Sequence, residues 1–260
     1  MKKKILLTGS NGYIAKSIYE SLQFDFEIFQ ISRKNFNLEN FLDVHNFFKN
    51  QYFDIVIHTA IQGGSRLNLE NNSQIEKNLK MYYNLLDHKK YFNKLINIGS
   101  GAEFYSHETP YSLSKKIIAR SIDCHDNFYN LRIFGIFDHN ELDTRFIKSN
   151  ILRYKKLENI IIHKNKFMDF IHMKDFIKIL EHYLLSTNNL PKHINCVYNT
   201  KYSLNDIGKI INTLSSNKVN IQTSDDGLDN NYTGQHTDLG LQLDTLENRI
   251  FQTYRILMDL

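Results

Sequence analysis

Lys4-Ile5-Leu6-Leu7-Thr8-Gly9-Ser10-Asn11-Gly12-Tyr13-Ile14-Ala15 is a short apolar run, then a turn built on two glycines, then the start of a helical pattern that continues through Ile18 and Leu22. That order predicts strand, tight turn and helix. Glycines at 9 and 12 let the backbone turn sharply and approach a pyrophosphate, which would rest on the helix N-terminus where N–H groups and the helix dipole point outward. The small Ala15 lets the helix pack closely on the strand. Taken alone, a G-x-x-G spacing also describes an ordinary turn. Its place directly after an N-terminal strand is what points to a dinucleotide.

Working outward, a second strand is predicted over Glu27 to Ser32, and it ends in Ser32-Arg33-Lys34. An Asp or Glu there would hold the ribose 2′-hydroxyl of NAD, whereas positive charge suits a 2′-phosphate, hence NADP(H). A solvated basic loop is the plain alternative. Asp54-Ile55-Val56-Ile57-His58-Thr59-Ala60 is an apolar run bounded by polar residues, as expected of a strand covered by helices on both faces. The fold expected is α/β: a doubly wound parallel Rossmann sheet with a small C-terminal α/β substrate-binding cap.

Composition agrees. The 260 residues are 42% hydrophobic and 23% charged, which fits a globular chain and excludes a disordered or repeat scaffold. Two cysteines without a C-x-x-C or a His/Cys cluster argue against a disulfide framework and against a metal site, and suggest a reducing cytoplasm. No apolar run approaches the ~18 residues of a membrane span. The net charge of +4, without a basic tract beyond the start, suits an anionic small molecule better than nucleic acid. The aromatic pairs Phe47-Phe48 and Tyr82-Tyr83 have the spacing of core residues rather than of base-stacking platforms.

A further strand, Lys94 to Ile98, delivers Gly99-Ser100-Gly101, and a helix is predicted to begin at Thr109-Pro110, a good N-cap followed by a good first residue. Tyr111 then falls in the first turn with Lys115 one turn later on the same face. An ammonium beside a phenol stabilises the phenolate and lowers a pKa that is otherwise near ~10, so the phenol can exchange a proton with a carbonyl or hydroxyl near neutrality. Ser100, at the end of a strand, is placed to hydrogen-bond the same oxygen. A Y-x-x-x-K spacing by itself is common on helix surfaces; the order of glycine turn, serine, tyrosine and lysine lifts it.

Together these segments resemble the extended short-chain dehydrogenase/reductases of the NAD(P)-dependent sugar epimerase/dehydratase family, over nearly the whole chain. Thr8 to Ala15 resembles the family's cofactor turn, Ser100 its serine, and Tyr111-Ser112-Leu113-Ser114-Lys115 its Y-x-x-x-K. Asn130 to Phe137, Met168 to Asp175, Tyr198-Asn199-Thr200 and Ser203-Leu204 resemble later family segments. Ser32 to Leu38 and Gly63-Gly64 are similar to the GDP-fucose synthase-like branch. The resemblance implies catalytic Ser100, Tyr111 and Lys115. It also implies a cofactor site of Gly9, Asn11, Gly12, Tyr13, Ile14, Ser32, Arg33 and Ala60, with Tyr111 and Lys115 reaching it. NADP(H) is the preferred cofactor and NAD(H) the alternative. By the same analogy the chain is expected to form a homodimer.

The departures carry information. Asn11 stands where that branch has an arginine for the 2′-phosphate, and Ala102 where it has an epimerising cysteine. The loop Asp138 to Thr144 offers no histidine at the matching place, although His139 lies nearby. Gly101 and Ala102 stand where the family's dehydratases carry an Asp-Glu pair. Dehydration and epimerisation both need such acid/base groups. What remains is an NADPH-dependent reductase of a nucleotide-diphosphate-linked 4-keto-deoxy sugar, in surface polysaccharide precursor synthesis. A 4-epimerase or epimerase-reductase uses the same triad and is the runner-up; a dinucleotide-binding sensor is the non-enzyme alternative. Domain boundaries are expected at 1–137 for the dinucleotide-binding part, with later strands near 169–173 and 195–199 returning to it, and 138–260 mainly for the cap. Arg145, Lys166 and Arg249 are candidate contacts for the substrate diphosphate, with a plain surface charge as the alternative for each. His58, His139 and His172 are read as structural.

Overall fold

A computed structural model describes residues 2–64, 70–104, 109–188 and 190–259. Strand β1 (Lys4–Thr8), helix α1 (Tyr13–Leu22), β2 (Glu27–Ile31), α2 (Phe41–Phe48), β3 (Phe53–His58), α3 (Ser73–Leu86), β4 (Phe92–Ser100), α4 (Pro110–Ile122) and β5 (Phe128–Ile133) alternate along the first half. There follow β6 (Ile136–Phe137), α5 (Phe146–Lys155), β7 (Ile160–Asn165), β8 (Ile171–His172), α6 (Met173–Leu185), β9 (His193–Asn195), α7 (Leu204–Ile211), β10 (Ile221–Leu228) and α8 (Leu246–Asp259). Local chemistry sets several starts. Asn40 caps α2 by accepting the Leu42 and Asp43 amides, and Thr109 forms a capping box with Ser112 at α4, with Pro110 in the first turn.

The chain divides into two compact units, Met1–Arg132 with Leu180–Ile194, and Ile133–Ile179 with Asn195–Leu260. In the first unit six strands form one sheet in the order β2-β1-β3-β4-β5-β9. β1 pairs in parallel with both β2 and β3, and β3 with β4. The chain therefore moves outward from β1 to β2, then crosses to the other side at β3. That reversal puts the topological switch point at the carboxyl ends of β1 and β3, where doubly wound sheets bind ligands. Ile5, Leu6, Leu7, Val56, Ile57, Leu95 and Ile96 are fully buried, as strands covered on both faces require. Phe48 and Tyr82 join this core.

The second unit holds two small parallel pairs, β10 with β7 and β6 with β8. Helices α5, α7 and α8 pack together, with Ile151, Ile162, Ile207 and Ile250 buried. One expectation needs correction. The segment near 169–173 does not return to the large sheet; its strand, β8, pairs with β6. The strand expected near 195–199 is β9, which joins the sheet at His193–Asn195. The stretch 180–194 belongs to the first unit because it is fastened to the sheet. Lys94 Nζ donates to the Tyr183 and Ser186 carbonyls at 2.7 and 3.0 Å, and the Asn130 amide donates to the Lys192 carbonyl at 2.7 Å. Among the described residues no helix is long and apolar enough to cross a membrane.

Candidate active site

The ends of β1 and β3 are locked by a buried polar knot. Thr8 Oγ1 lies 3.0 Å from His58 Nδ1 and accepts the Thr59 and Ala60 amides, both at 3.2 Å, while Thr59 Oγ1 donates to the Thr8 carbonyl at 2.6 Å. Burial, with the nearby Lys115 charge, pushes the His58 pKa down to about 3, so the imidazole is neutral and structural. Gly9 follows with φ +67°, and a Cβ there would stand 2.8 Å from the Ala60 backbone. Only glycine fits. Gly12 is the N-cap of α1, with no side-chain cap hydrogen bond. Asn11 is exposed, and Tyr13 and Ile14 are half-buried beside it. A tight glycine cradle leading into a helix whose N-cap is a glycine suits a pyrophosphate. At the end of β2, Ser32 to Asn35 form a turn in which the Ser32 amide donates to Asn35 Oδ1 at 2.8 Å, leaving Arg33 and Lys34 exposed. These residues fit a nicotinamide dinucleotide, and the basic turn suits a 2′-phosphate.

At the end of β4, Ser100 is buried, its Oγ accepting the Ala102 amide at 3.1 Å. Tyr111 occupies the first turn of α4. Lys115, one turn on, is buried with Nζ donating to the Ile98 carbonyl, two residues before Ser100, and lies 5.9 Å from the centroid of the Tyr111 ring. Burial pushes the Lys115 pKa down to about 8, opposed by the negative charge of Glu103. The ammonium is thus near its switching point at neutral to mildly alkaline pH.

Sequence reasoning missed the acid that supports this corner. Glu103 is buried; its Oε1 accepts the Ser100 amide at 2.9 Å, and its carboxylate takes Asn130 Nδ2 and an ion pair from Arg132. Arg132 continues to His193 Nδ1 at 2.9 Å, and His193 to Asp123 at 2.6 Å. An acid three residues after Ser100 was visible in the sequence, but its basic partner lies 29 residues away.

The three candidate diphosphate contacts fall in the second unit and differ among themselves. Arg145 is exposed at the N-cap of α5. Lys166 is buried and paired with Asp229 at 3.0 Å. Arg249 is a correction. Its guanidinium grips Asp175 through two 2.7 Å hydrogen bonds and gives a third to Gln252, while Tyr198 also donates to Asp175 at 2.7 Å. A bidentate buried pair leaves no fork for a phosphate, so Arg249 ties α8 to α6. In the loop after β6, His139 is half-buried, and Glu141 is buried with its carboxyl pushed up to about 8 by desolvation. Glu141 was not singled out in the sequence. Among the described residues no group of three or more His, Cys, Asp or Glu side chains is arranged to hold a metal ion.

Comparison with known proteins places these features. Among solved structures, the UDP-N-acetylglucosamine 4-epimerase of Methanobrevibacter ruminantium M1 is similar with a TM-score of 0.82 at 17% identity, over 100% of this chain and 99% of that one. An NADP-bound GDP-L-fucose synthetase from Naegleria fowleri gives 0.79 at 14%, over 99% and 93%. The NADP-bound GDP-mannoheptose C4 reductase of Campylobacter jejuni gives 0.74 at 18%, over 99% and 98%. At such identities the likeness establishes the fold alone. No curated protein sequence matches. The model of the NAD dependent epimerase/dehydratase family matches residues 5–197. With that match across the glycine cradle, Ser100 and the Tyr111–Lys115 pair, the chain belongs to the NAD dependent epimerase/dehydratase family, enzymes of oxidoreductase and epimerase type that work with a nicotinamide dinucleotide.

Proposed function

We propose that the protein is an NADPH-dependent reductase of a nucleotide-diphosphate-linked 4-keto-deoxy sugar, supplying a surface polysaccharide precursor. The observation that carries this reading is the Tyr111–Lys115 pair, with Lys115 held on the Ile98 carbonyl two residues before Ser100, and with no acid at Gly101 or Ala102. When bound, the nicotinamide supplies the hydride that converts the carbonyl carbon to an alcohol carbon. Ser100 orients the carbonyl through its hydroxyl. Tyr111 gives its proton to the oxygen as negative charge develops there. Lys115, held on the Ile98 carbonyl, stabilises the phenolate that remains until solvent returns the proton.

Exposed Arg33 and Lys34 support the preference for NADPH, and Arg145, exposed at the start of α5, is the most accessible of the three diphosphate candidates. Two free cysteines suit the reducing cytoplasm proposed for it, and a homodimer is proposed by family analogy. A nucleotide-sugar 4-epimerase or epimerase-reductase, which would use the same Ser100, Tyr111 and Lys115, is the second reading. Purified protein incubated with a panel of nucleotide-linked 4-keto sugars and NADPH, with products resolved by NMR, tests the proposal. Reduced sugar at the expense of NADPH is expected; absence of any NADPH-dependent product across the panel overturns it.

A further inference from the structure

Glu70 lies in the chain between β3 and α3, and its carboxylate joins two segments distant in sequence. Oε2 accepts the Tyr111 amide at 3.0 Å and Oε1 accepts the Gly64 amide at 2.9 Å. The Thr109 side chain hydrogen-bonds the same carboxylate. Desolvation acts to raise the Glu70 pKa, but these donors outweigh it and hold the carboxyl below its usual value, so it is an anion at neutral pH.

What the carboxylate holds down is a glycine pair laid against Tyr111. Gly63 and Gly64 have φ of +92° and +76°. A Cβ on Gly64 would stand 2.8, 2.9 and 3.1 Å from Cε2, Cζ and Cδ2 of the Tyr111 ring, and one on Gly63 3.3 Å from Tyr111 Cβ. The same loop is fastened to α4 a second time. Buried Asn78 accepts the Gln62 amide at 2.8 Å, donates to the Gln62 carbonyl at 2.9 Å, and donates to Ser114 Oγ at 3.0 Å.

We infer that Glu70 is a positioning residue for Tyr111: by bridging the Gly64 and Tyr111 amides it fixes the phenol against the glycine pair. The inference rests on the reading of Tyr111 as proton donor. Only a carboxylate of this length does both jobs. Glutamine has one accepting oxygen and an amide nitrogen that cannot accept, so Glu70→Gln keeps the volume and loses one of the two backbone bonds.

The test uses full-length protein carrying tyrosine labelled with carbon-13 at Cζ, with Tyr111→Phe identifying the Tyr111 signal. In Glu70→Gln, kcat should fall about 10- to 100-fold through misplacement of the donor, with the KM for dinucleotide within about twofold. The Tyr111 signal should shift before any substrate is added. A Glu70→Gln enzyme with wild-type kcat, or with lowered activity and an unmoved Tyr111 signal, overturns the inference and leaves Glu70 a helix cap. Normal turnover in Tyr111→Phe instead overturns the proton-donor reading, whatever Glu70→Gln does. Should Glu70→Gln fail to fold, Glu70→Asp decides, since its carboxylate is one methylene too short to bridge both amides: a shifted signal with reduced kcat supports the inference, and normal turnover overturns it.

Discussion

At the scale of single residues, proton chemistry rests on Tyr111 and its ammonium neighbour. Tyr111→Phe removes only the phenol hydroxyl, so turnover should drop on the order of 10²–10⁴-fold while dinucleotide affinity, read by fluorescence titration, stays within a few-fold. Lys115 adds a pH dependence with two opposite signs. Its charged form stabilises the phenolate, so kcat should decline as pH rises through about 8, the value to which burial lowers it. Stability moves the other way. Between that value and the ordinary lysine pKa of about 10.4, the unfolded chain binds a proton that the folded chain has shed, so the folded state gains stability as pH rises through the window. Profiles of kcat and Tm from about pH 7 to about pH 10 should therefore diverge; a kcat that climbs through this range removes Lys115 from the mechanism.

At the scale of elements, the turns between strands and helices carry the cofactor site. Gly9→Ala puts a methyl 2.8 Å from the Ala60 backbone at a φ of +67°. Strain of about 1–3 kcal/mol should separate the β1 and β3 ends and weaken dinucleotide binding by roughly tenfold or more, measurable by calorimetry. The turn after β2 decides which dinucleotide is held. Arg33→Ala should cost NADPH on the order of ten- to a hundredfold in affinity, as loss of a charged hydrogen bond does, and leave NADH little changed. Equal or tighter binding of NADH by the wild-type protein would contradict the NADPH assignment. These elements were legible because each signal is short. A glycine pair after an apolar run, or Thr-Pro before a tyrosine, acts through neighbours within one turn of chain.

At the scale of the whole molecule, the reaction outcome is a question about what the chain lacks and what it holds elsewhere. Gly101 and Ala102 supply no base beside Ser100, which predicts reduction without exchange at the carbons flanking the ketone. Turnover in deuterated water, followed by mass spectrometry and NMR, should give product free of deuterium at those carbons. Label entering at the pace of turnover, and abolished in His139→Ala, would identify an epimerase-reductase and name its base.

The sequence by itself determined the doubly wound parallel sheet, the glycine cradle, the start of α4 and the pairing of Tyr111 with Lys115, because periodicity, capping and the four-residue helical repeat are local rules. Tertiary structure alone decided the supports and the impostors. Glu70 meets Tyr111 across 41 residues, Glu103 meets Arg132 across 29, and Arg249 meets Asp175 across 74. The same distance in sequence hid the division of the chain, in which β8 pairs with β6 while 180–194 joins the first unit. A charged side chain shows its residue type in the sequence, but whether it waits for a ligand or is already matched to a buried partner depends on which distant segment the folded chain brings against it.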